Sequence, residues 1–470
     1  MGSPKNQLDR NIVDKRNQTT ALIIANISSF IIPFMGSSIN IALPAIGREF
    51  AMDAVLLNWV ATSYFLAAAI FLVPFGKIAD IYGRKRIFTY GMSIFTTASF
   101  LLIFSTSGLM LIVLRIFQGI GAAMIFGTGV AILTSVFPAE ERGKALGINV
   151  TATYIGYSLG PFLGGFLTSY LGWRSLFLIS VPLGFIDIYF ILFKLKGEWA
   201  EAVGEKFDLT GSILYSLALI AVIYGFSLLP AMWGVGLVLL GTLGILTFLK
   251  WETKVGSPVL SIHLFRKNSV FTFSNLAALI NYSATFAVGF LLSLYLQYIK
   301  GFSPKMAGLI LVSQPFTQAI FSPSAGKLSD RIDPRIVASL GMALTTIALF
   351  LFIFLSEATT LPFMMASLII LGFGLALFSS PNINAVMSSV EKRFYGVGPA
   401  TLATMRLVGQ TLSMGFTMVI FGIYIGRVRI TPEYYPLFLK SVKVAFFIFA
   451  ILCLGGVFAS LARGKAQSKK

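Results

Sequence analysis

The sequence predicts an all-α integral membrane protein of fourteen transmembrane helices, arranged as two six-helix pseudo-repeat halves with an inserted two-helix hairpin. Three observations lead there. The chain of 470 residues is 56% hydrophobic and 11% charged, with a mean hydropathy of +0.85; a soluble domain carries about 25% charged residues. Apolar segments long enough to cross a bilayer recur from end to end. One charged phrase is also written twice, GKIADIYGRKR at 76–86 and GKLSDRIDPRI at 326–336.

A spanning helix needs roughly 20 mainly apolar residues. Fourteen segments meet that rule. Seven lie at 20–43, 57–78, 87–105, 108–136, 144–170, 174–194 and 209–229. The other seven lie at 233–250, 268–299, 304–327, 335–355, 361–389, 396–425 and 441–462. The connections are too short to hold a folded soluble domain. Both copies of the charged phrase follow the second helix of a six-helix set once the seventh and eighth spans are treated as an insertion. The chain then divides into an N-terminal tail (1–19), a first half (20–194), the hairpin with its flanking loops (195–267), a second half (268–462) and a basic tail (463–470). Two related halves with a substrate path between them is how many secondary transporters are built.

Orientation follows from Lys and Arg, which concentrate in cytoplasmic loops. With the N-terminus inside, 26 of the 36 basic residues fall on the cytoplasmic side and eight outside. Arg115 and Arg406 lie within spans. The net charge of +18 is therefore a property of membrane topology, and no nucleic-acid partner is expected. Both termini are expected in the cytoplasm of a cell whose plasma membrane holds the protein. The polar first twenty residues hold no cleavable signal peptide.

Catalytic chemistry finds no footing. Cys453 and His263 are the only residues of their kinds, so disulfide, zinc and Ser-His-Asp arrangements are absent. There is no phosphate-binding G-x-x-x-x-G-K-[ST] loop. No metal or organic cofactor is expected, and the energy source would be a proton gradient.

The phrase at 76–86 resembles the signature loop of the major facilitator superfamily. LRIFQGIGAA (114–123) resembles that superfamily's fourth-helix arginine motif, and GYSLGPFLGG (156–165) its fifth-helix antiporter motif. With fourteen predicted spans, the chain is similar to the fourteen-helix drug:proton antiporter branch. The resemblance implies a cytoplasmic gate at Gly76, Asp80, Gly83 and Arg84, with a second copy at Gly326 and Asp330. It also associates Gly156, Gly160, Pro161 and Gly164 with antiport.

Each motif has a physical reading beside the inherited one. Asp80 and Arg84 can pair with each other or with a neighbouring helix end, where the helix dipole favours a carboxylate by ~0.3–1 kcal/mol. That makes either a latch or a topology signal with a tight turn at Gly83. Arg115 in mid-span costs at least ~2.5–3.5 kcal/mol on insertion scales. It therefore faces a wet cavity or bonds a neighbouring helix, with Gln118 on the same face. The glycines of the fifth helix make one smooth face suited to close packing, and Pro161 removes a backbone donor. Arg406 and Gln410 share a face of the thirteenth span. Asn26, Asn40, Asn281, Asn382 and Asn384 are polar groups in spans expected to line a cavity, as are Gln314 and Gln318, flanked by Phe316 and Phe321. Each is equally suited to an interhelical hydrogen bond. Together with 44 Phe and 16 Tyr they suggest a mostly apolar wall with scattered polar contacts, fit for amphipathic compounds.

The family pattern fails in one respect. Met35 and Gly36 stand where drug antiporters of this branch often carry an aspartate, and the tenth and thirteenth spans hold no acid. Asp187 is the one carboxylate clearly inside a span; it and the two mid-span arginines, Arg115 and Arg406, are the proton-coupling candidates. The expectation is thus a monomeric, proton-coupled exporter of amphipathic small molecules working by alternating access. Its partners are protons, membrane lipids and an amphipathic or lipid-like substrate. The alternatives are an exporter or flipper of lipids with weak or no proton coupling, and a transport-dead receptor or scaffold.

Overall fold

The structure is a computed structural model describing residues 4–260, 262–390 and 397–463. Every regular element among them is helical. The predicted basic tail lies outside the described residues beyond Arg463.

Six long helices come first: α1 (Pro4–Glu49), α2 (Ala54–Tyr82), α3 (Arg84–Ile103), α4 (Gly108–Val136), α5 (Ala139–Leu171) and α6 (Ser175–Tyr189). A hairpin follows, α7 (Leu209–Leu228) and α8 (Met232–Glu252), and then a short connector, α9 (Ile262–Lys267). The second set comprises α10 (Ser269–Thr285), α11 (Ala287–Leu294), α12 (Pro304–Leu311), α13 (Ser313–Arg331), α14 (Pro334–Leu351), α15 (Leu361–Ser389), α16 (Val397–Tyr424) and α17 (Tyr435–Leu461).

Local chemistry sets the boundaries. Asp53 accepts a hydrogen bond from Leu56 N at 2.8 Å and so caps α2; Asp208 caps α7 through Gly211 N at 2.9 Å. Such caps satisfy amide groups left orphaned at a helix start. Ser303 and Asp333 cap α12 and α14, each followed by proline at the first helical position, where its missing amide costs nothing. Gly83 ends α2 and begins α3 at φ 119°, a conformation that glycine adopts without strain.

Twelve of the fourteen predicted spans are helices long and apolar enough to cross a membrane, which makes this a multi-pass membrane protein. The predicted fifth and tenth spans are also helical but less apolar. Glycine, serine and tyrosine lower the hydropathy of α5, and the tenth divides at Val312 into α12 and α13, the latter holding Gln314 and Gln318. The predicted ninth span divides at Phe286 into α10 and α11.

In the first set α1 packs on α5, α2 on α4, and α3 on α4 and α6. In the second, α13 packs on α15, α14 on α15 and α17, and α10 on α16 and α17. The sets meet where α5 packs on α12 and α13, α2 on α16, and α1 on α11. The hairpin does not stand apart. Its α7 leans on both α2 and α16, with the Tyr215 hydroxyl donating to Ala69 O at 2.9 Å and the tilted rings of Phe226 and Phe416 5.6 Å apart. α8 packs on α7 and leaves Met232, Trp233, Leu239, Leu240 and Leu243 exposed.

Candidate functional site

Three side-chain clusters hold the residues of interest. The first lies at the α2–α3 loop. Arg84 is buried at 6% exposure. Its Nε donates to Asp80 Oδ1 at 2.9 Å, and its Nη1 donates to Glu201 Oε1 at 2.7 Å and to Ser135 Oγ at 2.8 Å. The predicted Asp80–Arg84 pair is therefore present, inside a larger network. The segment between α6 and α7 supplies the rest. Glu198 accepts from the amides of Lys85 and Arg86, Trp199 O accepts from Arg84 N, and Ala202 N donates to Asp80 O. Lys77 Nζ meets Glu205 Oε2 at 2.5 Å, and this contact holds the Glu205 carboxyl below its ordinary value. Sequence reasoning missed this acidic strap.

The second copy of the phrase forms no such cluster among the described residues. Asp330 is exposed, Ser329 accepts from Asn384 Nδ2 at 2.8 Å, and Asp333 serves as a helix cap. Sequence repetition outlasts structural repetition because the strap follows only the first half.

The second cluster surrounds Arg115, which is fully buried between α2 and α4. Its Nε donates to Val60 O at 3.2 Å and its Nη1 to Gln118 Oε1 at 2.6 Å, while Gln118 Nε2 donates to Ser99 Oγ at 2.8 Å. The guanidinium lies 4.2 Å from the Tyr64 ring centroid. Of the two readings of Arg115, the geometry matches an arginine bonded to the neighbouring helix.

The third cluster lies in the seam between the two sets. Arg406 on α16 donates from Nη2 to the Tyr157 hydroxyl on α5 at 2.5 Å. The rings of Tyr157 and of Tyr282 on α10 have centroids 5.1 Å and 5.3 Å from the guanidinium carbon. Tyr154 lies against Ser322 and Ser379. Gln314 Nε2 donates to Gln318 Oε1 at 3.1 Å, and Gln318 reaches Ser379 Oγ at 3.4 Å. Asn26, Tyr154, Tyr157, Tyr282, Gln314, Gln318 and Arg406 are only half-buried although they lie within the predicted spans. Phe316 and Phe321, expected beside the glutamines in the cavity wall, are exposed at 58% and 41%; Phe316 lies off the face shared by Gln314 and Gln318, since residues two apart do not face each other on a helix.

The remaining candidates are scattered. Asn40 lies in the α1–α11 contact, its carbonyl accepting from Ser293 Oγ at 2.7 Å. Asn281, Asn382 and Gln410 are buried with unpartnered amide atoms. Asp187 is fully buried with both carboxyl oxygens unpartnered, and α6 packs on α1 and α3 away from the second set. The structure therefore keeps Arg115, Asp187 and Arg406 in three separate places.

The glycine stripe is a packing surface. A methyl group at Gly156 would overlap Phe30 O, one at Gly160 the Ser37 hydroxyl, and one at Gly164 would come within 2.9 Å of Ser38 Cβ, all on α1. Pro161 and Gly165 turn instead to α12, where a methyl group at Gly308 would overlap Pro161 O. These contacts belong to one closed face. There Lys305 N donates to Ser169 Oγ at 2.9 Å, Gln297 Nε2 to Ile41 O at 3.0 Å, and Ala54 N to Val428 O at 3.1 Å. Methyl groups at Gly76, Gly143 and Gly147 toward the α2–α3 loop would meet open space, as would those at Gly172, Gly301 and Gly426 at the opposite helix ends.

Known proteins with this architecture share the sequence as well. The family described as Major Facilitator Superfamily matches residues 25–265 and 275–470. The chain is 33% identical over 398 residues to the riboflavin transporter RibZ of Clostridioides difficile, covering 84% of this chain and 86% of that protein. It is 30% identical over 410 residues to the multidrug resistance protein Stp of Mycobacterium tuberculosis, covering 86% and 75%. Over 457 residues it is 29% identical to the cephamycin export protein CmcT of Amycolatopsis lactamdurans, covering 95% and 93%. Its fold matches an inward-facing bacterial homologue of the lysosomal transporter Spinster, with TM-score 0.65, 16% identity and coverage of 96% and 97%. Two packed helix sets, the charged α2–α3 loop and these matches together place the chain in the Major Facilitator Superfamily, related to its drug-efflux branch, as a transporter rather than an enzyme.

Proposed function

We propose that this transporter exports amphipathic small molecules by alternating access, coupled to proton influx, as a monomer in the plasma membrane with both termini in the cytoplasm. In this reading α5 and the α12–α13 pair also cross the bilayer, giving fourteen spans with α7–α8 as the inserted hairpin. The seam carries the proposal: its backbone-close contacts gather on one face, which we read as the closed one, leaving the opposite face as the open one. The bias of Lys and Arg makes the open face cytoplasmic, so the conformation is one that admits substrate from inside. Names of two relatives, Stp and CmcT, point the same way. Asp187 is the proposed proton carrier, because it is a carboxyl group inside a helix with neither oxygen engaged.

A second reading, movement of a flavin-like nutrient, is favoured by the 33% identity to RibZ. Proteoliposomes with an imposed pH gradient separate the readings. We expect gradient-driven movement of a fluorescent amphipath, lost in Asp187→Asn. Movement of riboflavin alone would favour the second reading, and movement of a fluorescent lipid indifferent to pH would replace export coupled to protons by lipid transport.

A further inference from the structure

Arg406 has no counter-charge among the described residues. The ion pairs recorded among the described residues engage Lys77, Arg84, Arg174 and Arg335, all near helix ends or loops. Arg406 has instead a single side-chain hydrogen bond, to the neutral Tyr157 hydroxyl. Its guanidinium carbon sits between the Tyr157 and Tyr282 rings, one from each helix set. The side chain is half-buried, so some of its donors remain open to the seam. An unpartnered amide oxygen lies on the same face: Gln410, 2% exposed, follows Arg406 by one helical turn, and its Oε1 bonds nothing.

Taking an ion out of water is costly unless it is paired. Where the protein supplies no anion beside a fixed cation, a ligand that carries one is favoured. A guanidinium presents a planar fork matched to a carboxylate, and tyrosine faces accept an aromatic ring in offset or edge-on geometry. A lipophilic cation entering the same place would meet like charge, with no acid paired to Arg406 among the described residues to offset it.

Resting on the reading of the seam as the substrate path, we propose that Arg406, Tyr157 and Tyr282 form the recognition point for a planar aromatic anion. The transporter thereby discriminates against aromatic cations of the same shape. The anionic group takes the guanidinium donors that Tyr157 leaves open, and the ring lies against Tyr282. Because Arg406 bridges the two helix sets through Tyr157, a ligand that replaces this hydrogen bond also loosens the contact between the sets.

Binding to the purified full chain in nanodiscs tests this without reference to the direction or coupling of transport. The probes are 2-naphthoate and 2-naphthylmethylammonium, which share one ring system and differ in charge. Calorimetry should show the wild type binding naphthoate at least about tenfold more tightly. Arg406→Gln should weaken naphthoate by about tenfold and erase the preference, while Arg406→Lys retains part of it. Tyr282→Leu should weaken both probes, and Tyr157→Phe removes a hydroxyl while leaving the charge, so it remains informative where Arg406→Gln fails to fold. Equal or tighter binding of the ammonium probe by the wild type, binding of neither probe, or unchanged naphthoate binding in folded Arg406→Gln would each overturn the proposal. If naphthoate preference holds but no export follows in proteoliposomes, the export reading fails and the recognition point stands. If cations are exported at a rate indifferent to Arg406, the recognition point fails and the export reading stands.

Discussion

Gly308 offers the sharpest test of the closed seam. A methyl group there would overlap Pro161 O and would lie 3.1 Å from the Pro161 carbonyl carbon and 3.2 Å from Gly165 Cα, all backbone atoms. Backbone cannot swing aside as a side chain does. The helix sets must therefore part by roughly 1 Å to restore ordinary contact distances. Overpacking of this kind costs ~1–3 kcal/mol, and the cost falls only on the conformation in which α5 and α12 touch. Alanine also raises helix propensity by up to ~1 kcal/mol, but equally in every conformation, so that gain does not shift the balance. Gly308→Ala should move the population toward the outward-open state by ~5–150-fold. Spin labels at Leu171 and Met306, introduced as cysteines after Cys453→Ser, would report the change as a longer distance component. Gly165→Ala, whose methyl group would overlap Pro304 O, should act alike. Unchanged distances in both variants would refute the assignment of this contact as the outer closure.

The acidic strap makes three further predictions. Asp80→Asn leaves Arg84 with Glu201 alone and should slow transport by about tenfold or more without loss of expression; a scaffold would tolerate it, and uptake rates at equal protein decide. Glu201→Gln should do the same through Arg84, and hydrogen exchange should rise across 195–208. The Lys77–Glu205 contact holds the Glu205 carboxyl low, so its contribution is present above the ordinary carboxylate range and lost as pH falls through the lowered value. Exchange protection of the strap should therefore drop at acid pH in wild type and be low at all pH values in Glu205→Gln. Around the second cluster, Arg115→Met leaves Gln118 Oε1 buried without its donor, at a cost of ~1–3 kcal/mol. Its melting temperature should fall, and adding Gln118→Leu should recover part of the loss.

Much of the fold was legible because hydropathy is a local property. Each bilayer-length apolar run became helical, two of them as a pair of helices, while Asp80 near the end of α2 and Arg84 at the start of α3 met across the Gly83 turn. What escaped notice depends on long-range pairing. Tyr157 and Arg406 are 249 positions apart, and a tyrosine in an apolar helix carries no mark to separate a cavity wall from a core. Glu198, Glu201 and Glu205 lie in a loop without periodicity, so nothing in the sequence tied them to a motif more than a hundred residues earlier. The break at Phe286 has no proline to announce it, whereas that at Val312 follows from Pro315, whose missing amide leaves Leu311 O without its helical donor. The two readings of Arg115 could not be separated because its partner, Val60 O, is a backbone atom and leaves no trace in a sequence.

The place of the α7–α8 hairpin has a consequence for solutes dissolved in lipid. Helices α2 and α16 flank one side of the seam, and α5 and α13 the other. On the first side α7 leans across the joint, reaching α2 through Tyr215 and α16 through Phe226. A molecule diffusing sideways out of the bilayer would meet that helix as a shutter. The α5–α13 side has no such cover from the hairpin, so the two lipid-facing flanks of the seam are unlike: one is shuttered by α7 and its opposite is bounded by α5 and α13 alone.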